Sequence, residues 1–211
     1  MDKLDFKKRD KPFYSGKQGR WDRLTIPPMT YLMIDGAGEP GGPDYIRAIS
    51  ALYPLAYGVK FWSKAKGADF TVPPLEALWF ADDPSVFVSD DRAAWQWTAM
   101  IRLPDDVDGD EFETVRATAL SKLARKTDAP TDAATMKSVR LEVQEEGDSL
   151  QTLHIGPYCA EAPVLGHLHN TVMPDLGLTF GMPHHEIYLS DPRRMAPEKL
   201  RTILRQPVRP I

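Results

Sequence analysis

The chain holds a single cysteine, Cys159, among 211 residues. That excludes an internal disulfide and argues against a cysteine-based metal site, and low cysteine use suits a reducing cytosol. A free cysteine is more often a packing residue than a nucleophile. A basic stripe is also missing. The net charge is −4, and the basic openings at Lys7-Lys8-Arg9 and Lys17 to Arg23 are short and mixed with polar residues. No nucleic-acid partner is expected. No apolar run approaches the length of a bilayer span, and "MDKLDFKKRDK" lacks the apolar centre of a signal peptide. The expectation is a cytoplasmic protein with no membrane partner.

Metal and phosphate motifs are absent too. All five histidines fall in the second half, at 154, 167, 169, 184 and 185, with no H-E-x-x-H spacing. His167 and His169 fall on different sides of an expected helix, and His184 and His185 point apart on an expected strand. "IDGAGEPGG" is Gly-rich but has neither G-x-G-x-x-G nor a P-loop lysine, so it reads as a turn. Neither a metal nor a cofactor is expected.

What is present is an ordinary globular composition, with 42% apolar and 27% charged residues. One domain spanning 1–211 is expected, long enough to bury a core without staples. The first 25 or so residues are polar and aperiodic and read as an arm or loose lead-in. "MTYLMIDG" (29–36) reads as a strand. The helix that follows should bury Ile46, Ile49, Leu52 and Ala56, and Pro54 should kink or end it. "PLEALWFA" (74–81) and "WQWTAMIRL" (95–103) read as strands, the second with Trp95, Trp97, Ala99, Ile101 and Leu103 on one face. A helix over 110–123 carries Phe112, Val115, Ala119 and Leu123 as its buried stripe, with Asp110 and Glu113 as its N-terminal cap pair. "SVRLEV", "LQTLHIG", a short helix over 162–173, "HHEIYLS" and "TILRQPV" complete the pattern. A repeat is visible: "MTYLMIDG" ends at Gly36 and "LQTLHIG" at Gly156, 120 positions later, with Pro43 and Pro54 matching Pro163 and Pro174. Two halves follow, about 26–105 and 137–211, joined by a helix at about 108–125.

Read as a strand, "HHEIYLS" puts His184, Glu186, Tyr188 and Ser190 on one face and His185, Ile187 and Leu189 on the other. The second set suits packing against helices. A carboxyl among the first set must be paired, protonated or wetted by a cavity. Trp79 and Trp97 are the first candidates for aromatic walls, with Trp95, Tyr57 and Tyr158 behind them. His154 lies opposite Leu153 and Ile155 on its strand and so is a candidate for the same hollow.

"PLEALWFA", "WQWTAMIRLP", "EEGDSLQTLHIGPY" and "HHEIYLSDPRRMAPEKLRTILRQPV" together resemble the GyrI-like small-molecule-binding family in its stand-alone bacterial branch. "IDGAGEPGGPDYIRAISALYPLAYGVKF" is similar to the family's first half. The resemblance runs from about residue 11 to the end. It implies an α+β fold of two pseudo-symmetric β-α-β-β repeats with antiparallel sheet, helices outside and an aromatic pocket between the halves. It also implies binding of hydrophobic, flat or cationic aromatic small molecules, and kinship with proteins that hydrolyse cyclopropanoid DNA-alkylating natural products. "IGPYCAEAP" departs from the pattern: Cys159 stands where an acidic residue usually follows the tyrosine, with Glu161 two places on.

On this reading Glu186 is a lone acid in an indole- and phenol-walled hollow, acting as general base toward water. Tyr188 or Tyr158 donates to the electrophile's oxygen. Trp79, Trp97, Tyr57, Tyr158 and His154 contact the ligand. The alternatives are a non-catalytic drug sequestrant or sensor, and a module acting on gyrase. The oligomeric state is left open.

Overall fold

The computed structural model describes residues 3–82 and 94–211; the stretch 83–93 of the expected first half lies outside them. Among the described residues the chain is α+β with antiparallel strand pairs. It forms two compact units.

The first unit comprises Met1–Arg9, Met29–Pro73 and Trp79–Gln144. Strand β2 (Met29–Ala37) lies between β4 (Gln96–Arg102) and β5 (Arg140–Gln144), antiparallel to both. The end of β3 (Glu76–Phe80) borders β4. Helix α2 (Pro43–Ala65) packs on β2 and β4. Its N-cap is Gly42, with Pro43 at the first helical position, where a missing N–H costs nothing.

Pro54 does not end α2, and Ile46 is not among its buried residues. The helix continues through Pro54 for 23 residues. Pro54 sits on the solvent side, while Leu52, Leu55, Ala56 and Val59 are buried, and packing of that face outweighs one missing backbone bond. Ile46 is exposed; Tyr45 and Ala48 take the buried positions instead.

Helix α3 (Gly109–Leu123) buries Phe112, Val115 and Ala119 as expected. Its cap is Asp108, whose carboxylate accepts from the Glu111 N–H at 2.8 Å, rather than Asp110 with Glu113. Helix α4 (Ala133–Ser138), capped by Asp132, was not expected. The lead-in is no loose arm: helix α1 (Phe6–Arg9) buries Phe6 against Phe70, and Leu4 bridges to Phe70.

The second unit comprises Asp10–Pro28, Pro74–Leu78 and Glu145–Ile211. Its strands run in the order β1 (Asp22–Ile26), β6 (Gly147–Ile155), β9 (Arg201–Pro210), β8 (His184–Tyr188), then the start of β3. The Tyr188 N–H donates to Leu75 O at 3.0 Å. Strand β7 (Leu178–Phe180) pairs with the far end of β9. The expected second helix is a composite: α5 (Ala162–His167), a π-helical turn (Leu168–Val172) and α6 (Met173–Asp175). Gly177 follows at φ +66, the left-handed position that closes many helices. Leu150, Leu168, Met173, Leu178 and Val208 form a core between helix and sheet.

Candidate functional site

Cross-strand partners share a sheet face, so the register of the second unit sorts its polar side chains into two groups. Tyr188 and His154 both lie opposite Thr202, and Glu186 lies opposite Leu204. These form one face. On the other, His185 and Gln151 both lie opposite Arg205.

The second face carries a buried charge network. His185, Glu146, Arg205 and Glu76 are all nearly inaccessible. His185 Nδ1 lies 2.7 Å from Glu146 Oε1. Its Nε2 lies 3.0 Å from Glu76 Oε2, within ion-pair range but misaligned for a hydrogen bond. Arg205 donates through Nη1 to Glu146 Oε2 at 2.6 Å and through Nε to Gln151 Oε1 at 2.8 Å. The Tyr14 hydroxyl donates to Glu76 Oε1 at 3.3 Å. Burial opposes both charges, but the neighbours win. His185 and Arg205 hold Glu146 down to about 2, and Glu146 with Glu76 raises His185. Two cations and two carboxylates balance, as burial demands. Gln151 and Arg205 also bond the carbonyls of Pro12, Phe13 and Ser15, so the supposed lead-in is fastened to this sheet. The sequence reading gave His185 an apolar setting; the structure gives it the centre of an ionic cluster.

The first face is the candidate site. Glu186 is largely buried, with its side chain 13% exposed and Oε1 3.7 Å from His184 Nε2. That contact is no ion pair. Burial pushes His184 down to about 3, so its ring is neutral, and 3.7 Å is too long for a hydrogen bond. The missing member is Glu161. It follows the turn Tyr158–Ala160 and is 5% exposed. Its carboxyl lies against Glu186, and burial first, then the charge of Glu186, push it up to about 10. Glu161 therefore carries a proton at neutral pH. Among the described residues its Oε1 and the nearby Thr202 Oγ1 are both buried without a well-formed hydrogen bond. The Thr202 hydroxyl faces the Glu161 carboxyl and partly opposes its upward shift, so the two oxygens are each other's neighbours.

Tyr158 and Tyr188 stand edge to face, ring centres 5.6 Å apart. Burial, then Glu161 and Glu186, raise the Tyr158 hydroxyl to about 12, so it remains a donor. His154 is buried, and its Nε2 lies 3.2 Å from Pro157 O. It pins the turn that presents Tyr158 and Glu161. The structure thus brings together Glu186, Tyr188, Tyr158 and His154 and adds Glu161, so Glu186 is not a lone acid. "IGPYCAEAP" held the signal: the acid expected beside the tyrosine is present, shifted past Cys159 to Glu161.

The remaining aromatic candidates belong to the first unit. Tyr45 stacks on Trp79 at 5.7 Å and meets Trp97 edge-on at 5.0 Å; Trp95 stands edge-on to Trp79. Trp97 is 1% exposed. Tyr57 lies on the open side of α2, between Tyr53 and Phe61. Among the described residues no three or more His, Cys, Asp or Glu side chains are grouped to hold a metal ion, and no helix is long and apolar enough to cross a membrane.

An α+β chain with paired acids and phenols on one sheet face has the character of a small-molecule-binding domain. Comparison with known proteins makes the assignment specific. The chain belongs to the family of the GyrI-like small molecule binding domain, whose model matches residues 23–209. It is similar to a conserved, uncharacterised protein of Listeria innocua (38% identity, TM-score 0.87, covering 98% of this chain and 100% of the other). It is also similar to a hydrolase of Listeria innocua (37% identity, TM-score 0.83, covering 99% and 100%). The C-terminal domain of EcmrR shares the fold at 12% identity (TM-score 0.58, covering 91% and 98%). No curated protein matches the chain.

Proposed function

We propose that this chain binds hydrophobic or cationic aromatic small molecules and hydrolyses cyclopropanoid genotoxic natural products, a detoxifying role. The observation that carries the reading is the buried Glu161–Glu186 carboxyl pair, one member protonated, beside the Tyr158 and Tyr188 rings. Similarity to Listeria proteins described as hydrolases supports it.

The chemistry follows from the pair. Two adjacent carboxyls do not both ionise readily. The deeper one, Glu161, keeps the proton, and Glu186 is the base. Glu186 takes a proton from water as the water oxygen bonds to the ring methylene. The strained carbon–carbon bond breaks, and its electron pair moves into the conjugated carbonyl. Glu161 or Tyr158 delivers a proton to that oxygen. The sum is addition of one water, with no other reactant. Base catalysis of this kind is worth about 10²–10⁴ in rate, and ring strain is the substrate's own contribution. Tyr188 and Tyr158 supply aromatic contacts, each good cation contact contributing about 0.5–2 kcal/mol. Trp79, Trp97 and Tyr57 enter as ligand contacts on the family resemblance alone.

The test is incubation with a spirocyclopropyl cyclohexadienone and mass spectrometry for its hydrate. Product beyond one equivalent per chain, lost in Glu186→Gln while binding is retained, is the expected result. Product that stops at one equivalent, or none despite binding, leaves a sequestrant and ends the hydrolase reading.

A further inference from the structure

His184 stands two residues before Glu186 on the same face of β8, with Nε2 3.7 Å from Glu186 Oε1. Both of its ring nitrogens are buried, and neither has a well-formed hydrogen bond among the described residues. A neutral imidazole carries one N–H, and a buried N–H without an acceptor is costly. The ring therefore has one proton to place, and the acid on its own face is Glu186.

Other charged and polar groups face the ring. His169 approaches from the π-helical turn, its own Nε2 also buried without a hydrogen-bond partner among the described residues. Glu146, His185 and Arg205 act from the far side of the sheet, and Glu146 already accepts from both of the others. The Arg205 carbonyl faces the ring too. Arg205 is paired mid-strand to Gln151 on one side and His185 on the other, so that carbonyl serves the ladder. It and His169 Nε2 are neutral acceptors, and a carboxylate is the stronger one. Glu186 itself faces Glu161 and Tyr158 across the site. Between two acids in contact, a donor beside one of them favours the charge there.

We propose that His184 is a positioning residue for Glu186: its neutral imidazole keeps the proton on Nε2, turns that N–H toward the Glu186 carboxylate and fixes Glu186 as the ionised member of the acid pair. A charged histidine would lock the base into an ion pair and weaken it. A neutral donor orients the base and leaves it basic. Hydrogen bonds of this kind are often long without substrate and tighten when it binds. The inference rests on the reading of Glu186 as base, and its main readouts need no turnover.

Two-bond proton–nitrogen correlation spectra of the unaltered protein report the tautomer directly. The Nε2–H form of His184 at neutral pH is expected, and the Nδ1–H form overturns the proposal. Carboxyl carbon shifts then follow the acid pair, whose lower midpoint belongs to both residues. His184→Leu should raise that midpoint by about one pH unit. His184→Gln keeps an amide N–H near the place of Nε2–H and should restore most of the shift. Water addition to the spirocyclopropyl cyclohexadienone should fall on the acid side of its pH profile in the Leu variant and recover in the Gln variant. An unchanged midpoint in a folded Leu variant, or Leu and Gln variants that titrate alike, overturns the proposal. The tautomer is read on the parent chain, so a Leu variant that fails to fold leaves the test in force. If no hydrate forms while the tautomer and the midpoint come out as expected, the hydrolase reading falls and the hold of His184 on Glu186 stands.

Discussion

Glu161 rests against Glu186, and in that pairing the more buried acid keeps its proton up to about pH 10. Glu161 is protonated first because water is largely shut out, and the charge of Glu186 beside it adds to the shift.

The consequence for stability has a definite sign. Folded Glu161 holds a proton that the unfolded chain gives up near its ordinary value of 4.5. Its contribution is therefore fully present below that value and is lost as pH rises toward about 10. Glu161→Gln removes the loss. The variant should grow more stable than the parent as pH climbs from about 5 to 9, measured by urea denaturation. Parallel curves would show that Glu161 titrates normally. The same variant should bind cationic aromatics as the parent does, since a neutral group replaces a neutral group. If Glu161 is the proton donor, turnover should fall by about 10²-fold or more.

The His185–Glu146 contact at 2.7 Å anchors the opposite face. Replacing His185 by Gln leaves Glu76 and Glu146 buried with Arg205 as the one cation of the cluster among the described residues. Breaking such a cluster costs about 3–5 kcal/mol. The double variant His185→Gln with Glu76→Gln removes one charge of each sign and should recover part of that loss. A double variant no better than the single one means that charge balance is not what holds this face.

Stability against pH should show two edges from that cluster. Glu146 is depressed to about 2, so its contribution is complete above its ordinary 4.5 and disappears as pH falls toward 2. His185 is raised above its ordinary 6.5, so its contribution is complete below 6.5 and disappears as pH rises through the folded value. The cluster therefore stabilises most between about pH 4.5 and 6.5. Melting temperatures across pH 3–9 in the His185→Gln background should lack the alkaline edge attributable to this residue. If that edge is unchanged, His185 is not its source.

Gly36 lies opposite Trp97 in the β2–β4 pair. A Cβ at 36 would stand 2.2 Å from the Trp97 ring, and that indole is buried and cannot swing aside. Gly36→Ala should cost about 1–3 kcal/mol by overpacking, with altered tryptophan fluorescence. An unchanged melt would mean that the ring has room the structure does not show.

The strand pattern was legible because alternation is local. β2, β4, β6, β8 and β9 all fall where period-two apolar patterns or β-branched runs place them. Helix ends were less so. Asp108 rather than Asp110 caps α3 because the cap depends on where the chain turns, and that is set by what the helix packs against. Pro54 misled for the same reason: its local rule is sound, but burial of the opposite face overrides it. Glu76 in "PLEALWFA" and Arg205 in "TILRQPV" are, like Glu186, charges inside largely apolar strands, and that local pattern is the sequence signal of the ionic cluster.

The order of amino acids by itself determined the α+β class, most of the strands, the family and the placing of Glu186 on a polar face, because each depends on side chains near one another along the chain. The tertiary structure decided which acid stands beside Glu186, which charges neutralise His185 and which aromatics are shut away. Those depend on segments distant in sequence meeting in a medium of low polarity, where one neighbour at contact distance outweighs any local preference.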